Sequence, residues 1–152
     1  MLFTGQAEAS IDQKERLAVP SKYRSQWQVA RDGEAWMCVP WPGGVLRLYT
    51  ENQFAALANQ VRGTLAPDED QAALDVTLFA AAERLEMDGT GRVRIPKRHL
   101  ELAGLGTDVM VLGARDRLEI HDRAAWKATE RERFNALPSL VARIEAKRTG
   151  GG

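Results

Sequence analysis

A repeat constrains this chain more than any other feature. Ile11-Asp12-Gln13-Lys14-Glu15-Arg16-Leu17-Ala18-Val19-Pro20 aligns without gaps with Met87-Asp88-Gly89-Thr90-Gly91-Arg92-Val93-Arg94-Ile95-Pro96, and both segments read apolar-Asp-x-x-x-Arg-apolar-x-apolar-Pro. Farther along, Leu46-Arg47-Leu48-Tyr49 aligns with Leu118-Glu119-Ile120-His121, and Phe54 with Trp126. Internal similarity at a fixed spacing is the mark of one supersecondary unit used twice. Asp12 and Asp88 are 76 positions apart but Leu46 and Leu118 only 72, so the first copy holds four extra residues. A hairpin loop near Trp41-Pro42-Gly43-Gly44 is expected to absorb them. With 152 residues and 44% hydrophobic content, the chain can bury one substantial core, as one domain or as two small units that share it.

Both copies predict the same order of elements. Leu17-Ala18-Val19 and Val93-Arg94-Ile95 alternate like half-buried strands, each ended by a proline that cannot donate to a ladder. A short helical turn follows each proline, over 21–27 in the first copy and 97–103 in the second, where Gly104 stops it. Two strands come next, at 36–39 and 45–49, then at 109–112 and 118–121. Each copy closes with a helix: Thr50-Glu51-Asn52-Gln53 is a capping-box pattern opening one that runs to Gly63, and Asp122 opens its counterpart. Between the copies, Pro67-Asp68-Glu69-Asp70 opens a further helix whose apolar surface comes from Ala72, Leu74, Leu78, Phe79 and Leu85. The tail reads as a broken helix around Leu140, Val141 and Ile144 with a partly disordered, glycine-rich end. The expected organisation is α+β, with a first unit over 1–66, a connecting helix over 67–86, a second unit over 87–137 and a tail over 138–152.

An aspartate just before a tight turn accepts hydrogen bonds from backbone N–H groups two or three residues on. Asp12 and Asp88 are therefore expected to fix the turns that precede Arg16 and Arg92, and each arginine either pairs with its carboxylate or projects outward. One exposed Asp–Arg pair says little; its recurrence with both flanks intact says more, although duplicated folding architecture would also repeat it. Local charge favours a binding role. The chain carries 21 basic and 21 acidic residues, so no net charge steers it toward nucleic acid. Yet Lys14, Arg16, Lys22 and Arg24 face only Asp12 and Glu15 in the first motif, and Arg92, Arg94, Lys97 and Arg98 face only Asp88 in the second. Arg92 and Arg94 share one strand face, opposite Val93 and Ile95. Such basic islands suit DNA phosphates or guanine edges in the major groove. The expected DNA-binding residues are Lys14, Arg16, Arg92, Arg94, Lys97 and Arg98.

Catalysis has little to work with. The two histidines, His99 and His121, show no metal-ligand spacing, and neither a metal nor a cofactor is expected. Cys38, between Met37 and Val39, reads as a small core residue before a nucleophile, and a lone thiol suits a reducing compartment. Gly104 to Gly106 reads as a helix cap, not a phosphate loop. The N-terminus lacks the basic and long apolar regions of a secretory signal, and the uncharged run 76–82 is far shorter than the roughly 20 residues of a membrane helix. A cytoplasmic protein without membrane association is expected. No exposed aromatic pattern like that of common RNA modules is visible, and Trp27, Trp36, Trp41 and Trp126 are explained as core or interface.

The twin motifs, together with Ala103-Gly104-Leu105 leading into Val109-Met110-Val111-Leu112-Gly113, make most of the chain resemble the MraZ family, bacterial transcriptional regulators of the division and cell wall gene cluster. The resemblance implies two AbrB-like units forming a pseudo-two-fold swapped-hairpin β-barrel with peripheral helices. It implies a ring-shaped homo-oligomer associated with the nucleoid, usually a repressor, that binds repeated boxes of double-stranded promoter DNA. It places Arg16 and Arg92 near the DNA, with Asp12 and Asp88 holding the turns. A ring repeats one basic face around itself, which is how a neutral chain can bind DNA through many weak contacts. There are two departures. Glu15 stands where the family usually has glycine, placing an anion beside Arg16, so Arg92 is expected to contribute more; His121 stands where an aromatic such as Trp is common. The rival reading is a structural or protein-interaction module that keeps the barrel and has lost DNA recognition, with Glu15 and the zero net charge as its support.

Overall fold

The computed structural model describes residues 1–150. In chain order it forms β1 (Gln6–Ser10), β2 (Arg16–Ala18), α1 (Ser21–Arg24), α2 (Val29–Asp32), β3 (Ala35–Trp41), β4 (Val45–Thr50), α3 (Glu51–Ala58) and α4 (Glu69–Leu74), which a π-helical turn, Asp75–Phe79, continues. There follow β5 (Glu83–Glu86), β6 (Arg92–Arg94), α5 (Lys97–Ala103), β7 (Asp108–Gly113), β8 (Leu118–Asp122), α6 (Arg123–Ala128) and α7 (Glu130–Gly150). The fold is α+β. Six strands make one antiparallel sheet in the order β1-β7-β8-β4-β3-β5, while β2 and β6 pair with each other as a separate ribbon.

The sheet order reads the same from both ends once each strand is exchanged for its repeat counterpart, β1 for β5, β7 for β3 and β8 for β4. β1, which leads the first copy, pairs with β7 of the second; β5, which leads the second copy, pairs with β3 of the first. Register obeys the same symmetry. In the ribbon Leu17 faces Val93, with Arg16 opposite Arg94 and Ala18 opposite Arg92. In the sheet Arg47 faces Glu119, with Leu46 opposite Ile120 and Leu48 opposite Leu118. A pseudo-two-fold axis therefore runs through the Leu17–Val93 and Arg47–Glu119 pairs.

Strand alternation puts successive side chains on opposite faces. One face of the sheet presents Trp36, Cys38, Leu46, Leu48, Val109, Val111, Leu118 and Ile120, and onto it the ribbon lays Leu17, Val19, Val93 and Ile95 as a single core. Arg16, Ala18, Arg92 and Arg94 are left on the ribbon's outer face. The turns after Pro20 and Pro96 tie each copy to its leading strand. Tyr23 Oη donates to the carbonyls of Thr4 and Gly5, both at 3.0 Å, and its repeat counterpart His99 bonds through Nε2 to the Ala81 carbonyl at 2.7 Å. His99 Nε2 is thereby the protonated nitrogen, and Nδ1 faces Cys38 Sγ at 3.3 Å. Burial pushes the Cys38 thiol up to about 12, in keeping with a core cysteine.

Several expectations need correction. Residues 67–86 are not one helix: α4 and its π turn give way to β5, so Leu85 sits on a strand opposite Trp36. The helix after Thr50 stops at Ala58, short of Gly63, although Thr50 caps it as expected by accepting from the Gln53 N–H at 3.2 Å. α1 ends at Arg24, short of Trp27. Only one of the four extra residues enlarges the β3–β4 hairpin. The equivalent pairs Ser10–Asp108 and Glu86–Ala35 put Ala35 and Asp108 73 positions apart, so the other three precede β3. That segment builds α2, where buried Asp32 accepts from the Gln28 N–H at 2.8 Å and pairs with Arg31. The tail is one helix rather than a broken one: α7 continues through Pro138, whose ring nitrogen has no proton to give the preceding turn, and it leaves Leu140, Val141 and Ile144 exposed. Of the expected disordered end, Gly151 and Gly152 lie outside the described residues. No helix among the described residues is long and apolar enough to cross a membrane.

Candidate nucleic-acid interface

The two motif turns are built alike. Asp12 Oδ1 accepts from the N–H groups of Lys14 and Arg16, each at 2.9 Å, and Oδ2 accepts from Arg16 Nε at 2.8 Å. Asp88 Oδ1 accepts from the N–H groups of Thr90 at 2.9 Å and Arg92 at 3.0 Å and from the Thr90 hydroxyl at 2.9 Å, while Oδ2 accepts from Arg92 Nε at 2.8 Å. The last turn residue is left-handed in both, with φ of 59° at Glu15 and 80° at Gly91. Its carbonyl then accepts from the opposite copy: Glu15 from the Ile95 N–H at 2.8 Å, Gly91 from the Val19 N–H at 3.1 Å. Each turn is thus fixed by its own aspartate and bolted to the other copy's strand.

These bonds set the charge state. The Arg16 N–H, with that of Lys14 and the Arg16 guanidinium, holds Asp12 below the ordinary carboxylate range. Asp88 is held further down, first by the Arg92 N–H and then by the Thr90 hydroxyl and N–H. Both carboxylates stay ionised at neutral pH, and both arginines stay clamped at Nε. Among the described residues, no hydrogen-bond partner engages the Nη groups of Arg16 or Arg92, so each arginine offers that edge to the outside.

The register collects the expected residues unevenly. Arg94 lies directly opposite Arg16 and has no ion-pair partner among the described residues. Arg92 lies opposite Ala18, diagonal to Arg16 at the roughly 7–8 Å typical of such neighbours. Arg16, Arg92 and Arg94 thus share the outer face of one rigid ribbon. Lys97 joins its margin, with Nζ 3.6 Å from the carboxylate of Glu15, so this anion faces a lysine of the other copy rather than cancelling Arg16. Lys14 sits in the first turn and Arg98 at the start of α5, both exposed and outside the ribbon.

Two residues take roles in the site that spacing alone does not assign. Thr90 adds the hydroxyl that distinguishes the second turn. Arg24 donates from Nε to the Val19 carbonyl at 2.8 Å and lies over Gly91, where a Cβ would sit 2.4 Å from Arg24 Cδ. The visible signal was the glycine itself, since a left-handed residue under an arginine stem has two reasons to lack a side chain. His121 is a strand-end residue, with Nε2 2.9 Å from Glu119 and its ring 5.0 Å from that of Trp126. Among the described residues no group of three or more His, Cys, Asp or Glu side chains is placed to hold a metal.

Comparison with known proteins adds an independent line. A family model described as "MraZ protein, putative antitoxin-like" matches residues 78–143, the stretch that contains the second motif. The transcriptional regulator MraZ of Acetivibrio thermocellus is 31% identical over 143 residues, covering 94% of this chain and 96% of the relative. Those of Corynebacterium diphtheriae and Shewanella oneidensis are 30% and 27% identical, the first over 91% of this chain and 93% of the relative, the second over 82% of each. Similarity therefore extends over both copies and the helices around them.

Proposed function

Because the chain belongs to the MraZ family, we propose that it is a transcriptional regulator that binds double-stranded DNA with the outer face of the β2–β6 ribbon. The observation that carries this is the pair of matching clamps: two arginines on one ribbon face, each gripped at Nε by an aspartate and, among the described residues, free at Nη. A two-stranded ribbon fits the major groove, and a guanidinium Nη edge suits a phosphate or the O6/N7 edge of guanine. Exposed ion pairs of this type contribute little to stability, so sharing an arginine with DNA disturbs the fold little.

The exchange of β1 and β5 between copies supports the reading as two AbrB-like units closed into a swapped-hairpin barrel, the first over 1–66 and the second starting at β5 rather than at residue 87 and running to 137. The segment 67–82 connects them and 138–152 follows as a tail. In the cell the protein would act at the nucleoid as a ring-shaped homo-oligomer, repressing the division and cell wall gene cluster from repeated promoter boxes. The second reading, an interaction module without DNA recognition, draws on the zero net charge.

Fluorescence anisotropy on DNA from upstream of the protein's own gene, against a scrambled duplex and across a salt series, separates the two. The DNA reading expects preferential binding that falls steeply with salt. It also expects a loss of about tenfold or more in Arg16→Ala and Arg92→Ala, the scale of roughly 1–3 kcal/mol per specific arginine contact. Equal, negligible binding to both duplexes by folded protein rejects it and leaves the interaction module.

A further inference from the structure

Each clamp pairs one aspartate with one arginine and is neutral by itself, so what draws a phosphate to either end of the ribbon is the charge around the clamp. At the first clamp that charge comes from the other copy. Arg94 stands opposite Arg16 with no ion-pair partner among the described residues, whereas Lys97 is engaged, its Nζ 3.6 Å from the Glu15 carboxylate. At the second clamp the ribbon supplies nothing equivalent, because Ala18 takes the place of Arg94 and Ser21 that of Lys97. Register alone leaves Arg92 without a basic neighbour.

Arg24 provides one from off the ribbon. It is the last residue of α1, it is exposed, and its Nε donates to the Val19 carbonyl at 2.8 Å. Its guanidinium lies over Gly91, the residue before Arg92: a Cβ on that glycine would sit 2.6 Å from Nη1 and 2.8 Å from Nε. At the equivalent point of the first turn a side chain is present, and it is the acidic one of Glu15. The pseudo-two-fold axis thus sets an arginine at one end against a carboxylate at the other. Arg24 is not duplicated architecture either, since its repeat counterpart Leu100 packs against the core. Among the described residues Arg24 has no ion-pair partner, and its Nη groups make no hydrogen bond. Lys22, on the same helix, is by contrast engaged by the Gln6 carbonyl at 2.7 Å.

We infer that Arg24 grips a DNA backbone phosphate beside the Arg92 clamp, as the first copy's counterpart of Arg94 beside Arg16. Each clamp then borrows an unpaired arginine from the opposite copy. The inference rests on the DNA-binding reading and adds a contact to its site. Two Nη donors match two oxygens of one phosphate. The bond at Nε and the stem over Gly91 hold the guanidinium in place beforehand, so little freedom is lost on binding. Arg24 stands at the rim of the ribbon rather than on its outer face; base edges are read from the face, and the rim meets the sugar-phosphate walls of the groove.

Three substitutions test the assignment. Arg24→Met removes the charge and keeps an apolar stem over Gly91, and Arg24→Lys keeps the charge. Arg24→Gln retains a donor for the Val19 carbonyl and replaces the first variant if circular dichroism finds it unfolded. Anisotropy across a salt series, on duplex from upstream of the protein's own gene and on a scrambled duplex, reads the slope of log affinity against log salt. Loss of the charge is expected to flatten that slope by about one unit and to weaken binding equally on both duplexes, because a phosphate contact carries no sequence information. Arg24→Lys should keep the wild-type slope. An arginine that only covers Gly91 would lower the urea midpoint when replaced and leave the slope where it was. That result overturns the inference, as does a slope flattened as much by Arg24→Lys as by Arg24→Met. Wild type without salt-sensitive preference for its own promoter brings down the DNA reading as a whole. Wild type that shows the preference, beside a charge-free variant with an unchanged slope, brings down the assignment of Arg24 alone.

Discussion

The two motif copies reach one geometry by different means, and the comparison separates what builds the site from what tunes it. The shared residues, Asp12 and Asp88, Arg16 and Arg92, and the apolar-x-apolar-Pro strands, make the same turn, clamp and core in both. Among the residues that differ, five pairs change the charge: Lys14 against Thr90, Glu15 against Gly91, Ala18 against Arg94, Ser21 against Lys97 and Arg24 against Leu100. In sequence the second copy is the more basic. Antiparallel pairing delivers Arg94 beside Arg16, however, and leaves Arg92 beside Ala18. The basic neighbourhood along the ribbon therefore belongs to Arg16, an argument against expecting Arg92 to dominate.

The sharpest way to break the equivalence is to exchange the residues that end the turns. Gly91→Glu would force a side chain into a left-handed backbone, at a cost of roughly 1–2 kcal/mol, and displace Arg24 from the Val19 carbonyl, a bond worth about 1 kcal/mol. Urea unfolding should show a loss of about 2 kcal/mol or more. Glu15→Gly relieves the same conformational strain but gives the unfolded chain more freedom, and should stay within about 0.5 kcal/mol of wild type. Equal effects of the two substitutions would mean that the turns are interchangeable and that Arg24 is a bystander.

A smaller difference lies in the aspartates. Both have carboxyls held below the unfolded value, so the stability they contribute is present above about pH 4, where unfolded aspartate is ionised, and is lost as pH falls through the folded value. Carboxyl NMR titration should find Asp88 protonating at lower pH than Asp12, and Thr90→Val should raise Asp88 toward Asp12 by removing the extra hydroxyl donor. Coincident titration in wild type would remove Thr90 from the account. Either way the clamps stay charged at neutral pH, so proton uptake is not what frees the arginines.

How much of this was legible in the sequence follows from which signals are local. The Asp turns, the ribbon strands, α5 with its left-handed Gly104 cap and the hairpins all announce themselves through spacing, caps and alternation within a few residues. β1 and β5 do not. Gln6–Ser10 and Glu83–Glu86 are short and mostly polar, and each becomes a strand because the other copy's hairpin offers it an edge. The same non-local cause turned Leu85 from an expected helix residue into a strand residue. Motif reading placed Arg16, Arg92 and Arg94 among the site residues, but that Arg16 and Arg94 are neighbours is a fact of register, which no single copy encodes. Arg24 was visible as charge only; its role as the cover of Gly91 needed the packed structure.

The finest test of the comparison is to repair the asymmetry. Ala18 is exposed on the outer face opposite Arg92, where its counterpart Arg94 stands opposite Arg16. Ala18→Arg gives both ends of the ribbon the same pair of arginines without touching the core. If both ends lie against DNA phosphates, it should steepen the dependence of log affinity on log salt by about one unit, and Arg94→Ala should flatten it by about the same. A slope that responds to Arg94→Ala but not to Ala18→Arg would confine contact to the Arg16–Arg94 end and make the second clamp a folding device. The opposite pattern would assign contact to the Arg92 end, where the sequence alone had placed the greater weight.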